Sequence, residues 1–395
     1  MKIDPSLAKR VKRQVTGRCR ELFAATAPGL EALCLRELKA LPLSTAVAQV
    51  VAGGVTFEGR LQDCMLANLH LRTASRILMR LDTFKASNFG HLEKKLGAFP
   101  WELFLQAGCE PQIRITTRRS RLYHKAAISG LCIESLRRRL GPDPEHQSPA
   151  GISQHPQCIF IRIEADRLTL SLDSSGELLY KRRLKSQGTR APLRESLAAA
   201  ALMLAGFRPE EPLVDPFCGS GTFSLEAALM TRNTPPGWFR DFAFMGWPAF
   251  NPPRWNYLRK QAASRFTPAQ GPSVYASDKD PAVCRMLSDR VSAAGLSTII
   301  TVANRDFLAF SPSELTDQRG LVAINPPYGV RIGTRRDSEI LWTAIIAKLG
   351  RDYRNWKAAL IVPPHLLRGA APLQLETHAL MHGGLPLKLL TGRIR

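Results

Sequence analysis

The chain has 395 residues, with 55 Lys or Arg against 33 Asp or Glu and a formal net charge of +22. Hydrophobic residues make up 45%, enough for two or three buried cores, which excludes a disordered chain. No apolar run reaches the roughly 20 residues that cross a bilayer, and no apolar stretch follows the N-terminal cations, which argues against a membrane span and a secretory signal.

The excess charge points to a polyanion, nucleic acid first. It is concentrated in front: residues 1–190 hold 31 basic and 17 acidic residues, or +14 of the +22. The eight cysteines form no C-x-x-C pair. Reduced thiols in a cytoplasmic setting, no disulfide and no metal are therefore expected.

In chain order, residues 1–20 read as a basic, mobile arm. Residues 22–25 predict a strand and 29–41 a helix, with apolar side chains at Leu30, Leu33, Cys34, Leu38 and Leu41. Residues 47–57 predict two strands broken at Gly53-Gly54, then a helix over 61–75 and a strand over 76–84. This alternation gives a small α+β module over about 21–85. A second module follows: a strand at 111–117, a helix at 125–140, a loop at 141–157, and strands at 158–164, 167–173 and 177–184. From residue 192, strands at 212–215, 273–277, 299–303, 321–325 and 358–362 alternate with helices near 194–205, 221–231, 280–294 and 338–350. That pattern predicts a parallel, doubly wound α/β sheet. Residues 377–394 suit a closing hairpin, and the insertion 233–272 is irregular and aromatic.

Residues 212–230 read PLVDPFCGSGTFSLEAALM: a strand ending at Asp215, a glycine turn, and a helix starting near Thr222. Gly219 and Gly221 let the backbone bend and a ligand approach, and the helix start favours an anion such as the methionine carboxylate of S-adenosylmethionine. Asp215 would accept from the ligand's amino group. The turn lacks the spacing of a nicotinamide fingerprint and the G-K-[ST] of a P-loop. Asp278 ends the second strand, where a ribose diol is gripped, and Asp306 ends the third, facing an adenine amine with Phe307 beside the ring. Each acid alone reads equally well as a helix N-cap; three in order at successive strand ends favour a nucleoside cofactor.

Residues 321–329 read LVAINPPYG. Asn325 offers a carbonyl oxygen, Pro327 locks the direction of the Pro326 carbonyl, and Tyr328 offers a ring for stacking. Two fixed acceptors suit an exocyclic NH2 with two hydrogens to give. They also counter its weakness as a nucleophile by stabilising the positive charge that develops on attack.

The tetrad Asn325-Pro326-Pro327-Tyr328 together with Asp215-Pro216-Phe217-Cys218-Gly219-Ser220-Gly221-Thr222 resembles class I amino-methyltransferases. Residues 191–200 (APLRESLAAA), 23–31 (FAATAPGLE) and 71–76 (LRTASR) add a likeness to the THUMP-containing ribosomal RNA guanine-N2 methyltransferases of the RlmL/YpsC type. The likeness runs from about residue 21 to the end.

It implies a ferredoxin-like module at 21–85, a THUMP RNA-binding domain at 86–185 and a Rossmann-like methyltransferase domain at 186–395; the basic arm at 1–20 is extra to the family pattern. It implies S-adenosyl-L-methionine as cofactor and large-subunit ribosomal RNA as partner, with transfer to a guanine 2-amino group. By position, Asp215, Phe217, Cys218, Gly219, Ser220, Gly221, Thr222, Asp278, Asp306, Phe307 and Asn325 would hold the cofactor, and residues 325–328 the base. The arginine and lysine clusters Arg118, Arg119, Arg121; Arg137, Arg138, Arg139; and Lys181, Arg182, Arg183, Lys185 would contact phosphates. Competing readings are an amino-methyltransferase acting on DNA adenine, another RNA such as tRNA, or a protein glutamine, and a non-catalytic RNA-binding assembly factor. The intact tetrad and three strand-end acids weigh against the last.

Overall fold

The computed structural model describes residues 4–45, 47–141, 157–184, 193–268, 270–271, 273–327 and 335–395. The chain forms two compact units: Met1–Thr26, Cys34–Leu179 and Arg240–Arg259 in the first, and Ala27–Leu33, Tyr180–Phe239 and Lys260–Arg395 in the second. The predicted loop at 141–157 lies mostly outside the described residues.

The expected mobile arm is helical. Helix α1 (Pro5–Val11) starts where Asp4 accepts from Leu7 N at 3.2 Å, with proline at its first position. Val11 and Val15 are buried, and Arg10 pairs with Glu102 at 2.8 Å. The hydrogen bond from Arg139 holds the Glu102 carboxyl down to about 2, with Arg10 adding to it. A carboxyl lowered on folding contributes stability above its unfolded value, about 4.3, and loses it as pH falls toward the folded one. Amide protection across residues 5–11 should therefore decline between about pH 4.3 and pH 2, ahead of protection in the central strands. An arm equally protected at both ends of that range would contradict this tether.

The first unit is built on one seven-stranded sheet. Its strands are β1 (Arg20–Thr26), β2 (Ala48–Val51), β3 (Gly54–Gly59), β4 (Ala74–Lys85), β5 (Gln112–Arg118), β6 (Cys158–Glu164) and β7 (Arg167–Asp173), in the order β2-β3-β1-β4-β7-β6-β5. The antiparallel pairing of β4 with β7, Leu78 opposite Asp173 through Lys85 opposite Arg167, makes the strands of residues 21–85 continuous with those that follow. Helices α2 (Glu31–Lys39), α3 (Leu61–His70) and α5 (Lys125–Leu140) fall near the expected positions, whereas α4 (Phe89–Ala98) was not expected.

The strand expected at 177–184 does not form. The Arg240 guanidinium donates to the carbonyls of Ser175, Glu177 and Leu178 at 3.1, 2.7 and 2.7 Å. A side-chain fork thus takes the acceptors that a ladder would have used. The rings of residues 240–259 belong to this unit, with Phe242 stacked on Phe244 at 5.2 Å and Trp255 edge-on to Phe244 at 5.3 Å. All three are buried, so these rings are core.

The second unit matches the predicted alternation closely. Helix α6 (Glu195–Leu204) precedes β8 (Leu213–Asp215), α7 (Thr222–Thr231), β9 (Val274–Asp278), α9 (Pro281–Ala293), β10 (Ile300–Asn304), β11 (Leu321–Ile324), α10 (Arg335–Asp352), β12 (Lys357–Val362) and the hairpin β13 (Glu376–His382) and β14 (Leu385–Arg393). Helix α8 (Pro252–Ala263) runs across the division between Arg259 and Lys260, in the stretch expected to be irregular.

Strand order is β10-β9-β8-β11-β12-β14-β13. β8 to β12 run parallel and β14 antiparallel to β12. Alternate residues feed two cores: Leu213, Leu321, Ala323, Ala359 and Ile361 on one face, and Val214, Val322, Ile324, Ala358 and Leu360 on the other. Both faces are covered, as a parallel sheet requires. Winding runs outward from β8 to β10, then returns to β11 on the far side of β8, so the switch point lies between β8 and β11.

Candidate active site

Every strand that was expected to bear a site residue ends on the same edge. Asp215 closes β8, Asp278 closes β9, Asn304 closes β10 with Asp306 two residues on, and Asn325 follows β11 directly. Register carries Asp215 opposite Ala276 and Asn304 opposite Asp278. With strands about 4.8 Å apart, the ends from β10 to β11 span roughly 14 Å.

The glycine turn is fastened from both sides. Gly219 (φ +49°) and Gly221 (φ +78°) lie in the left-handed region, which glycine enters without a Cβ penalty. A Cβ on Gly221 would stand 2.2 Å from Leu287, whereas one on Gly219 would meet nothing nearer than 4.0 Å. Gly221 therefore serves close helix packing, and Gly219 leaves open space over the turn. Gly219 N donates to Asp278 Oδ2 at 3.1 Å, Cys218 N to the Ser277 carbonyl at 3.0 Å and Gly221 N to the Cys218 carbonyl at 2.7 Å. Asp215 is 1% exposed, and its Oδ2 accepts from Ser224 N at 3.2 Å and Ser224 Oγ at 2.6 Å. It ties the strand end to the first turn of α7. Gly221 supplies no side-chain cap, which leaves the positive end of α7 facing the turn.

Asp278 does two jobs: Oδ2 holds Gly219 and Oδ1 accepts from Asp280 N at 3.1 Å. Asp306 is exposed and caps a short turn through Leu308 N at 2.9 Å. Phe307 departs from its expected role. Its ring is 1% exposed and enclosed by Phe217, Phe310 and Tyr353 at 5.6, 6.3 and 5.8 Å. No face is open to an adenine, so it shapes the floor from beneath. Burial pushes the Cys218 thiol up, and the Asp215 and Asp278 carboxylates add to the effect.

Asn325 is half-buried, Pro326 buried and Pro327 exposed, while Tyr328 lies outside the described residues. Three supporting groups were not expected. Ser224 anchors Asp215. Asn304 Nδ2 donates to the Asp278 carbonyl at 2.9 Å. Arg290, lowered from its ordinary value by burial, donates to the Ser220 carbonyl at 3.2 Å. Arg290 had a sequence signal: it stands in the apolar stripe Cys284, Leu287, Val291 of α9.

The basic clusters divide. Arg118, which ends β5, and Arg119 and Arg121 beyond it are exposed. Arg137, Arg138 and Arg139 pair with Glu110, Glu134 and Glu102 at 3.1, 3.0 and 2.8 Å. Lys181 and Arg183 are exposed, and Lys185 lies outside the described residues. Arg182 is not a phosphate contact: it is 1% exposed and donates to Glu226 of α7 at 3.0 Å. Removing one member of a buried pair strands the other charge. Glu226→Leu should cost about 3–5 kcal/mol in urea unfolding, and Arg182→Leu added to it should recover most of that loss.

The sheet order, the fastened glycine turn and the asparagine-proline end of β11 together define a class I methyltransferase fold. More narrowly, the chain belongs to the RlmL-like methyltransferase family. The family described as RMKL-like, methyltransferase domain matches residues 182–380, and the RlmL ferredoxin-like domain matches residues 21–78.

The chain is 32% identical over 392 residues to ribosomal RNA large subunit methyltransferase K/L of Syntrophotalea carbinolica, covering 93% of this chain and 53% of that relative. It is 32% identical over 328 residues to YpsC of Bacillus subtilis, which is named as an RNA methyltransferase, covering 80% and 82%. The chain spans about half the length of the K/L relatives it matches. Among solved structures, SMU.472, described as a methyltransferase complexed with SAH, superposes with a TM-score of 0.82 at 26% identity, covering 96% of this chain and 99% of that one.

Proposed function

We propose that this chain transfers a methyl group from S-adenosylmethionine to the exocyclic 2-amino group of a guanine in large-subunit ribosomal RNA. The observation that carries the reading is the placement of Asn325 and Pro326 across the switch point from the glycine turn of β8. The open space over Gly219 and the carboxylates of Asp278 and Asp306 fit a nucleoside cofactor with an amino-acid arm. The bound cofactor supplies an activated methyl group on a sulfonium. The protein's residues supply position and charge.

Asp215, Ser224 and Asp278 hold the turn of residues 217–222 rigid beneath the cofactor's amino-acid arm. Asp278 and Asp306 accept from the ribose and adenine ends. The Asn325 side-chain oxygen and the Pro326 carbonyl accept the two amine hydrogens, turn its lone pair toward the donor and take up developing positive charge. No separate base is required, because the proton leaves through these acceptors or water.

The names of the relatives favour RNA over DNA as the polymer, and the exposed cations of residues 118–121 suit its phosphates. Residues 21–85 are read as the ferredoxin-like module, 86–185 as a THUMP RNA-binding module and 186–395 as the catalytic domain, in a chain working in the cytoplasm. The test is mass spectrometry of large-subunit RNA nucleosides from cells with and without the gene. Loss of N2-methylguanosine at one position supports the reading, and unchanged nucleosides oppose it.

A further inference from the structure

The two edges of the first unit's sheet differ in charge. β5 at one edge bears Arg114 and Arg118. β2 at the other lies in the longest uncharged stretch of a +22 chain: no Asp, Glu, Lys or Arg stands between Lys39 and Glu58. An unpaired edge is ordinarily guarded by charge, proline, a bulge or shortness. β2 reads Ala48-Gln49-Val50-Val51 and pairs with β3 from Ala48 opposite Phe57 to Val51 opposite Gly54 without a register shift. Of those guards it has shortness alone. Val47 and Val50 are 60% and 42% exposed, and Gln49 is exposed between them.

The ladder fixes which backbone groups face outward. Glu58 N donates to the Val47 carbonyl at 3.0 Å, so these two residues form a hydrogen-bonded pair. In an antiparallel ladder such pairs alternate with pairs that exchange no bond. Gln49 with Thr56 and Val51 with Gly54 therefore bond inward, whereas the N–H and C=O of Ala48 and Val50 point away from β3. Among the described residues no backbone group meets them. A second β2 laid antiparallel along this edge, with a two-fold axis at Gln49, satisfies all of them. Ala48 then exchanges both bonds with Val50 of the second copy, and Val50 with Ala48. The same axis sets Gln49 opposite Gln49, where each amide offers both a donor and an acceptor, and Val47 opposite Val51.

We propose that β2 is a homodimer contact, through which a second copy of this chain continues the sheet across a two-fold axis. Charge selects this occupant. A polyanion or an acidic peptide finds no cation on the strand. A second copy carries the same +22, so two copies repel unless they meet where neither bears charge. The contact is isologous: the same residues serve on both sides, so the pairing closes on itself and builds no fibre. Strands of four residues a side bury less than the roughly 1,200–2,000 Å² of a stable complex, so the dimer is weak and reversible. The inference goes beyond the methyl-transfer reading and does not depend on it.

The test is sedimentation velocity of the full chain from about 1 to 300 µM, a range that brackets a weak complex. Salt is held at about 0.15 M, where charges beyond about 8 Å are screened but opposed residues at the axis are not. A monomer–dimer equilibrium is expected for the parent. Gln49→Lys and Gln49→Glu should each weaken it at least about tenfold, because each sets like charges against one another across the axis. An equal mixture of the two variants should recover association, since the mixed pair brings opposite charges together. That recovery also excludes misfolding as the cause of the loss. A parent that stays monomeric throughout overturns the proposal, including the case in which this edge serves a different protein. A dimer left intact in both variants overturns it too, because the contact then lies elsewhere. So does loss in both variants with no recovery on mixing.

Discussion

Replacing Asn325 with alanine is expected to lower methyl transfer by at least about 10²-fold while cofactor and RNA affinity stay within a few-fold of the parent. The magnitude follows from removing one preorganised group from a site where charge develops, which costs about 10²–10³ in turnover. Asn325 stands just past the buried strand β11, so its backbone is set by the sheet and not by its own side chain. The substitution should therefore leave folding intact. Single-turnover transfer, measured with saturating RNA, reads the chemical step directly. Asn325→Asp keeps an acceptor oxygen but adds a charge, and should recover part of the rate. Parent-like turnover in Asn325→Ala would remove this residue from the chemistry.

The second large effect is expected at Asp278. Its two oxygens hold Gly219 N and Asp280 N, so its loss frees the glycine turn as well as removing the acceptor proposed for the ribose. Hydrogen bonds to a charged group contribute about 1.5–3 kcal/mol each. Asp278→Ala should therefore weaken SAH binding by about 10- to 100-fold in calorimetry, and Asp278→Asn by less, since one acceptor oxygen survives. Asp280→Ala makes a useful contrast. It removes the cap of α9, where Asp280 accepts from Ala282 N at 2.8 Å, and should lower stability by about 1 kcal/mol with little effect on SAH. Equal SAH affinity in the Asp278 variants and the parent would contradict the role given to this carboxylate.

The second unit was legible because its pattern is local. Short apolar strands alternate with helices, and β8 to β12 appear within a residue or two of their expected bounds. The strand-end acids were legible for the same reason: a parallel sheet puts all carboxyl ends on one edge. What escaped notice depends on contacts remote in sequence. Helix α1 is held by Glu102, 92 residues away. The expected strand at 177–184 is replaced by an arginine 62 residues on that takes its carbonyls. Arg182 looks like a phosphate ligand beside Lys181 and Arg183, yet its partner is Glu226 on α7. Phe307 reads as an adenine platform, yet Phe217, Phe310 and Tyr353 close over it. A charge or a ring beside a motif reveals its chemistry, whereas its direction is set by packing that periodicity does not encode.

The most direct measurement gives the purified chain S-adenosylmethionine labelled in its methyl group, together with large-subunit RNA from cells lacking the gene, and identifies the labelled nucleoside after digestion. Label in N2-methylguanosine alone, absent when Asn325→Ala is used, is the predicted result. Label on adenine N6, or none at all from a protein that demonstrably holds the cofactor, would contradict the claim that the end of β11 presents a guanine amine to the sulfonium.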